Sequence, residues 1–185
     1  MRKSLLALTA LVLGLTAQAA SAEELFLLNI PGIGGDVTLK GYEGWISVTA
    51  FSEGFTNAEG AAFGGGAEVG RTNCQELRVV KMLDVTSPEV AAAVATGRHY
   101  ASVKLAVLKE GAQNFEFLRF TLSNVIFTSV TFGGNTKTST TDVTTTARVE
   151  TLALRPRQIS IQFVPQGADG TPGAPVTSTV DCSGR

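Results

Sequence analysis

Residues 97–132 read GRHYASVKLAVLKEGAQNFEFLRFTLSNVIFTSVTF, and this stretch decides the fold. From Tyr100 to Lys109 the chain alternates, with Val103, Leu105 and Val107 on one face. That period of two is the pattern of a half-buried strand. Glu110-Gly111-Ala112 then turns the chain. Phe115 to Phe132 follows as one β-branched and aromatic run. It exceeds the usual strand length, so a bend or bulge is expected near Ser123-Asn124.

Working outward toward the C-terminus, Gly133-Gly134-Asn135 reads as the next turn. The threonine-rich stretch Thr136 to Thr151 alternates at Val143, Thr145, Ala147 and Val149, which predicts an exposed strand pair or an extended loop. Ile159, Ile161 and Phe163 alternate in a last strand. Residues 165–185 form a polar, turn-rich, irregular tail held down mainly by Cys182.

Toward the N-terminus lies the one clear helix. Ser87 is the expected N-cap, Pro88 fits the first helical position, and Glu89 complements the positive end of the dipole. Val90 to Thr96 is alanine-rich, and Gly97 suits the position just past the helix end. Two to three turns cannot stand alone, so this helix must pack on a sheet. A strand is expected from Cys74 to Met82. Glu53 to Asn73 (EGFTNAEGAAFGGGAEVGRTN) has no periodicity and reads as one extended loop, residues 53–73, too long for a mere turn. Trp45 to Ser52 alternates as a strand, with Ile46, Val48 and Ala50 on one face and Trp45, Ser47, Thr49 and Phe51 on the other. Leu25 to Ile30 is a short strand stopped by Pro31-Gly32 and a Gly34-Gly35 turn.

The first 22 residues have a different character. Arg2 and Lys3 precede the uncharged run Leu5–Ala17, and Ala20-Ser21-Ala22 supplies the small residues a signal peptidase requires. The run falls short of the roughly 20 apolar residues that span a bilayer. Residues 1–22 are therefore read as a signal peptide cleaved after Ala22, and residues 23–185 as one domain in the periplasm or outside the cell. Of 185 residues, 163 remain, and the net charge moves from −1 to −3 because Arg2 and Lys3 leave. Nothing in that balance supplies the basic face that nucleic acid needs. No second apolar stretch reaches spanning length, so stable membrane insertion is not expected.

In an exported protein two cysteines, Cys74 and Cys182, read first as one disulfide, with two free thiols as the alternative. The closed loop of about 109 residues corresponds to about 4–5 kcal/mol at most in the chain-entropy account. A metal pair is disfavoured, because His99 is the one histidine and no Cys-x-x-Cys spacing exists. Neither Gly-x-Ser-x-Gly nor a phosphate-binding loop occurs, and Gly32-x-Gly34-Gly35 leads back to strand where a dinucleotide site needs a helix. Glu53 and Glu59 form the sort of acid pair that any β-rich chain offers. No enzyme activity and no cofactor are expected.

The ordered residues resemble the Hcp family, the haemolysin-coregulated tube proteins of type VI secretion. Leu25 to Ile30, Pro31-Gly32-Ile33, Gly35-Asp36, Glu43-Gly44-Trp45-Ile46, Val48 and Phe51-Ser52 are similar to the opening of that family. Gln75-Glu76-Leu77-Arg78-Val79, Lys81, Ser87-Pro88 and Ala91-Ala92-Ala93 continue it. The resemblance is sharpest at Gly97-Arg98-His99-Tyr100, where the family has a small residue, Gly, a basic residue, His and Tyr. Phe117-Leu118, Leu122-Ser123-Asn124-Val125, Ser129-Val130, Gly133-Gly134 and Glu150-Thr151 follow in order. Ile159, Phe163-Val164-Pro165-Gln166, Ala168-Asp169-Gly170 and Gly173-x-Pro175-Val176 complete roughly 140 residues of likeness.

The resemblance implies a mainly β fold, a compact β-barrel of two sheets with one short flanking helix. It implies a non-catalytic subunit that forms six-fold rings, stacks into a tube and carries small cargo in the lumen. Its partners would be further copies of itself and the tip or effector proteins of a type VI machine. The loop 53–73, with Gly60, Phe63, Gly64, Gly65 and Gly66, would reach from one ring to the next. The chain departs from the family in three places. It carries a signal peptide, Pro156 interrupts an expected strand and forces an edge or bulge, and Thr179-Val180-Asp181-Cys182 replaces a Gly-Trp-Asp run. An exported binding module that keeps the fold without the tube is the second reading.

Overall fold

The structure, a computed structural model, describes residues 23–58, 71–111, 113–138, 144–167 and 169–183. Its elements in order are β1 (Glu24–Asn29), β2 (Ile46–Val48), β3 (Ala50–Ser52), β4 (Phe55–Ala58), β5 (Arg71–Cys74) and β6 (Leu77–Met82). These are followed by α1 (Ser87–Thr96), β7 (His99–Lys109), β8 (Phe115–Thr138), β9 (Thr144–Arg155), β10 (Gln158–Phe163) and β11 (Val176–Asp181). Nine strands form one sheet along the path β2-β1-β7-β8-β9-β6-β3, with β10 on β8 and β11 on β10, while β4 and β5 form a separate two-stranded sheet.

The long strand β8 organises everything else. Its first half, up to Ile126, pairs with β7, and its second half, from Ile126, pairs with β9. The bend expected at Ser123-Asn124 is there. Asn124 sits at φ 51°, a left-handed conformation that asparagine tolerates better than most residues. Pro156 faces that bend, and the ladder to β8 lapses between Arg155 and Gln158. The Arg157 N–H bridges the gap by donating to Ser123 O at 3.0 Å. A proline has no N–H to give the ladder, so the strand breaks into β9 and β10 at the point where β8 turns.

The bend divides the sheet into two halves that face each other across the core. Leu28, Ile46, Val103, Leu105, Leu122 and Ile159 come from one half, and Leu77, Val79, Leu152 and Leu154 from the other; all ten are fully buried. Phe51 joins them by edge-on contacts with Phe26 and Phe120, at 5.3 and 5.7 Å between centroids. The sheet does not close into a barrel. Its two ends, β2 and β3, are three-residue strands adjacent in the chain, and each has only one partner strand. Thr49 between them donates its N–H to Val80 O at 2.8 Å, so the chain crosses from one edge to the other without forming a ladder.

That crossing also corrects the single alternation expected over Trp45–Ser52. Ile46 and Val48 are buried, but beyond Thr49 the inward residue is Phe51 and Ala50 is exposed. Gly34-Gly35 is no turn: Gly35 lies so close to the chain at Trp45 and Ile46 that a Cβ would stand 2.2 Å from Trp45 O. Gly133-Gly134-Asn135 is no turn either. It stays in β8, opposite Val149, Arg148 and Ala147, so Thr136–Thr138 and Thr144–Thr151 are the strand pair foreseen, on one hairpin. The strand expected from Cys74 is two, because Gln75 and Glu76 break it before β6.

The helix begins at Ser87, with Thr86 as the cap and no side-chain cap bond. The Thr86 backbone is already helical, at φ −83° and ψ −18°, instead of the extended conformation that aims a capping side chain at the first turn, and its hydroxyl donates to Asp84 Oδ1 at 2.6 Å. Ser87 instead donates to Glu150 Oε1 (3.1 Å) and accepts the Asp84 N–H (3.1 Å). Glu150 also takes the Lys81 ammonium at 2.6 Å, and Asp84 takes it at 2.8 Å. Lys81 and Glu150 are cross-strand partners with no exposed surface. Burial pushes the Asp84 carboxyl upward, but Lys81 and the Thr86 donors outweigh it and hold it below its usual range. This buried cluster pins the start of α1 to β6 and β9. At the far end, Gly97 in the left-handed region and Arg98 give their N–H groups to Val94 O and Ala93 O, which closes the helix.

Candidate functional site

The residues of interest gather around the bend. His99 opens β7 opposite Ile126, and with Asn124, Arg155, Pro156, Arg157 and Cys182 it lines a groove of about 600 Å³. A second groove of about 240 Å³ adjoins it, lined by Thr72–Glu76 together with Arg155, Pro156 and Cys182. Arg155, Pro156 and Cys182 border both. The Cys74–Cys182 disulfide is present, with a Cα–Cα separation of 5.4 Å, and it stands between the two grooves. Arg155 is tied to Glu76 at 2.6 Å, and Arg157 lines the larger groove beside it with His99.

The four residues of the helix-to-strand motif do different work. Gly97 ends α1. Arg98 lies over the Tyr100 ring, 5.3 Å from guanidinium carbon to ring centroid, a cation–π arrangement. Tyr100 is buried against Phe127 in a T-shaped contact at 5.2 Å, and burial raises its hydroxyl pKa while the Arg98 charge opposes the rise. His99 alone faces the groove. The motif is therefore a structural junction that delivers one imidazole to a surface, and the structure does not bring its four residues together as a site.

The structure places a β-hairpin, β4 with β5, where one extended loop was expected from Glu53 to Asn73, with Phe55 opposite Cys74 at its base. Gly60, Phe63, Gly64, Gly65 and Gly66 lie outside the described residues, as do Glu59 and residues 1–22. Glu53 stands at the root of that hairpin. Both its carboxylate oxygens are buried without a well-formed hydrogen bond among the described residues, and burial pushes its pKa up to about 7 against a weaker opposing pull from the Gly54 N–H. The sequence held a signal for it, since Glu53 follows Phe51 by two residues and shares its face. Lys81 carried the same signal after Leu77 and Val79. On the outer face of β1 and β7, the segment from Val37 to Trp45 covers Leu27, Ala106 and Leu108. There Tyr42 donates to Glu116, whose carboxylate also takes Arg119 through Nε and Nη2, each at 2.6 Å. Burial and that bond lift the Tyr42 pKa to about 12.

At the opposite rim of the sheet, residues 165–185 are not the irregular tail expected, because Val176–Asp181 pairs with β10 as the outer strand β11. It pairs with β10 alone, and its side chains are exposed apart from the half-buried Val180. Phe163 on β10 and Val176 on β11 are register partners, 47% and 67% exposed, and Phe117 packs edge-on against Phe163. This is an apolar patch beside a strand that has no second partner strand among the described residues. Among the described residues no helix is long and apolar enough to cross a membrane.

A bent antiparallel sheet with a two-stranded hairpin and a single flanking helix is the mainly β class expected from the sequence. The family model described as "Type VI secretion system effector, Hcp" matches residues 27–163, and the chain belongs to that family. The chain is similar to Hcp1 of Pseudomonas aeruginosa, at 32% identity over 108 residues. That match takes in 57% of this chain and 62% of the relative, so less than two thirds of the relative is spanned. Among solved structures, that of a type six secretion system protein superposes with a TM-score of 0.75 at 21% identity, over 86% of this chain and 96% of the other. Hcp1 from Salmonella typhimurium gives 0.66 at 21% identity, over 88% and 96%. Likeness at that identity concerns the fold.

Proposed function

We propose that the chain is a non-catalytic, ring-forming structural subunit, exported by cleavage after Ala22 and assembled outside the cytoplasm. The observation that carries this reading is the open edge of β11 beside Phe163 and Val176. A strand edge with an adjoining apolar patch is a ready template for backbone pairing with a neighbour. In a closed ring each subunit offers that edge to the next in a head-to-tail contact. Family membership supports six copies around a lumen wide enough for small cargo, and stacking of rings through the hairpin that follows Glu53. The Cys74–Cys182 disulfide supports an oxidising compartment. Tip or effector proteins of a secretion machine are the partners this reading admits.

The test is the double substitution Phe163→Lys and Val176→Lys in residues 23–185. Both side chains are exposed, so the fold should survive, while two ammonium groups on the patch should abolish association in sedimentation velocity. Unchanged association would remove the β11 edge from the interface. N-terminal sequencing of periplasmic protein should begin at Glu23, and intact Met1 there would refute the export step.

A further inference from the structure

Among the described residues, β11 and the β4–β5 hairpin are two elements that bury little side-chain surface. β11 buries almost no apolar surface, and β10 is its one partner strand among the described residues. The hairpin is a sheet of two short strands, apart from the nine-stranded one. Elements with so little burial open at small free-energy cost. One covalent bond fastens both. Cys74 is the last residue of β5, next to Gln75, whose N–H donates to Gly54 O at 2.8 Å across the hairpin root. Cys182 follows the last residue of β11, and its own N–H donates to Arg157 O at 2.8 Å. The disulfide thus joins the root of the hairpin to the end of the edge strand, beside the bend at Asn124 and Pro156.

We propose that the Cys74–Cys182 disulfide is a redox switch on self-association. Oxidised, it holds the β11 edge and the hairpin where a second copy of the chain meets them. As a dithiol, the chain keeps its core but releases both elements and does not assemble. This rests on the ring-forming reading above. The switch operates by thiol–disulfide exchange with a disulfide-bearing oxidant. The two thiols lose two electrons and two protons, the Cys74–Cys182 S–S bond forms, and the oxidant's S–S bond breaks to give two thiols. Reduction by a dithiol reverses each step. A chain still in a thiol-reducing compartment would therefore stay unassembled until exported.

The experiment uses residues 23–185 oxidised, the same sample reduced with dithiothreitol, and the variant Cys74→Ser/Cys182→Ser. Amide exchange and sedimentation velocity are read on all three. Reduction should speed exchange in residues 176–181 and 71–74 by roughly tenfold or more while β7 and β9 stay protected. Assembly should disappear on reduction and return on reoxidation. Rings of equal size in all three samples would overturn the switch and leave the ring reading standing. Unchanged exchange in β11 and the hairpin would also overturn it, as would loss of protection in β7 and β9, which would make the disulfide a prop for the whole fold. An oxidised sample that is monomeric throughout defeats the ring reading itself, and the switch with it.

Discussion

Replacing Glu53 by glutamine should make the protein more stable at pH 8 and leave it unchanged at pH 4. Glu53 shares the inward face with Phe51, and both carboxylate oxygens are shielded from solvent without a well-formed hydrogen bond among the described residues. Burial raises its pKa from 4.5 to about 7, and no charged side chain contributes to the shift. The folded state therefore keeps a proton that the unfolded chain has released. Below pH 4.5 both states hold it and Glu53 costs nothing. From pH 4.5 to about 7 stability falls, and above 7 the loss is complete. A shift of that size corresponds to roughly 3 kcal/mol at 1.36 kcal/mol per pH unit, but the residue as a whole is only half-buried, and solvent screening reduces the effect. A gain of about 1–2 kcal/mol for Glu53→Gln at pH 8 is the expected result. Urea unfolding of both proteins at five pH values from 4 to 8 measures it. Parallel stability curves, or a variant weaker than wild type at pH 8, would refute the reasoning.

Lys81→Met strands the buried Glu150 and should cost about 3–5 kcal/mol, whereas adding Glu150→Leu should restore most of that loss; a double-mutant cycle by chemical denaturation reads both. Gly35→Ala drives a Cβ into the Trp45 carbonyl, 2.2 Å away, and should cost about 1–3 kcal/mol in thermal melting. Tyr42→Phe removes one donor from Glu116 but leaves Arg119 in place, so the loss should be about 1 kcal/mol and the fold unchanged by circular dichroism.

Much of this architecture is written in local pattern. The alternation at Val103, Leu105 and Val107 gave β7, the overlong run from Phe115 gave a strand that had to bend, and Gly97 gave the end of α1, because each depends on residues close in sequence. The pairing of Cys74 with Cys182 followed from the count of two cysteines and from the export expected of the first 22 residues. What escaped depends on tertiary context. Gly133-Gly134-Asn135 looks like a turn in isolation, but the ladder to Ala147–Val149 holds it extended. The crossing at Thr49 reverses the inward face because the chain changes partner strand there. Ser87 reads as a cap locally, yet Glu150, 63 residues away, takes its hydroxyl. His99, Pro156 and Cys182 each stood out in the sequence, but the groove they line did not, since the bend of β8 and the end of β11 bring them together.

The mass of oxidised residues 23–185 in solution tests the central claim most directly. Sedimentation velocity across a concentration series should show one closed species of about six times the monomer mass, persisting on dilution. A single monomer peak at every concentration would contradict a ring-forming subunit and leave the exported binding module as the function of this fold.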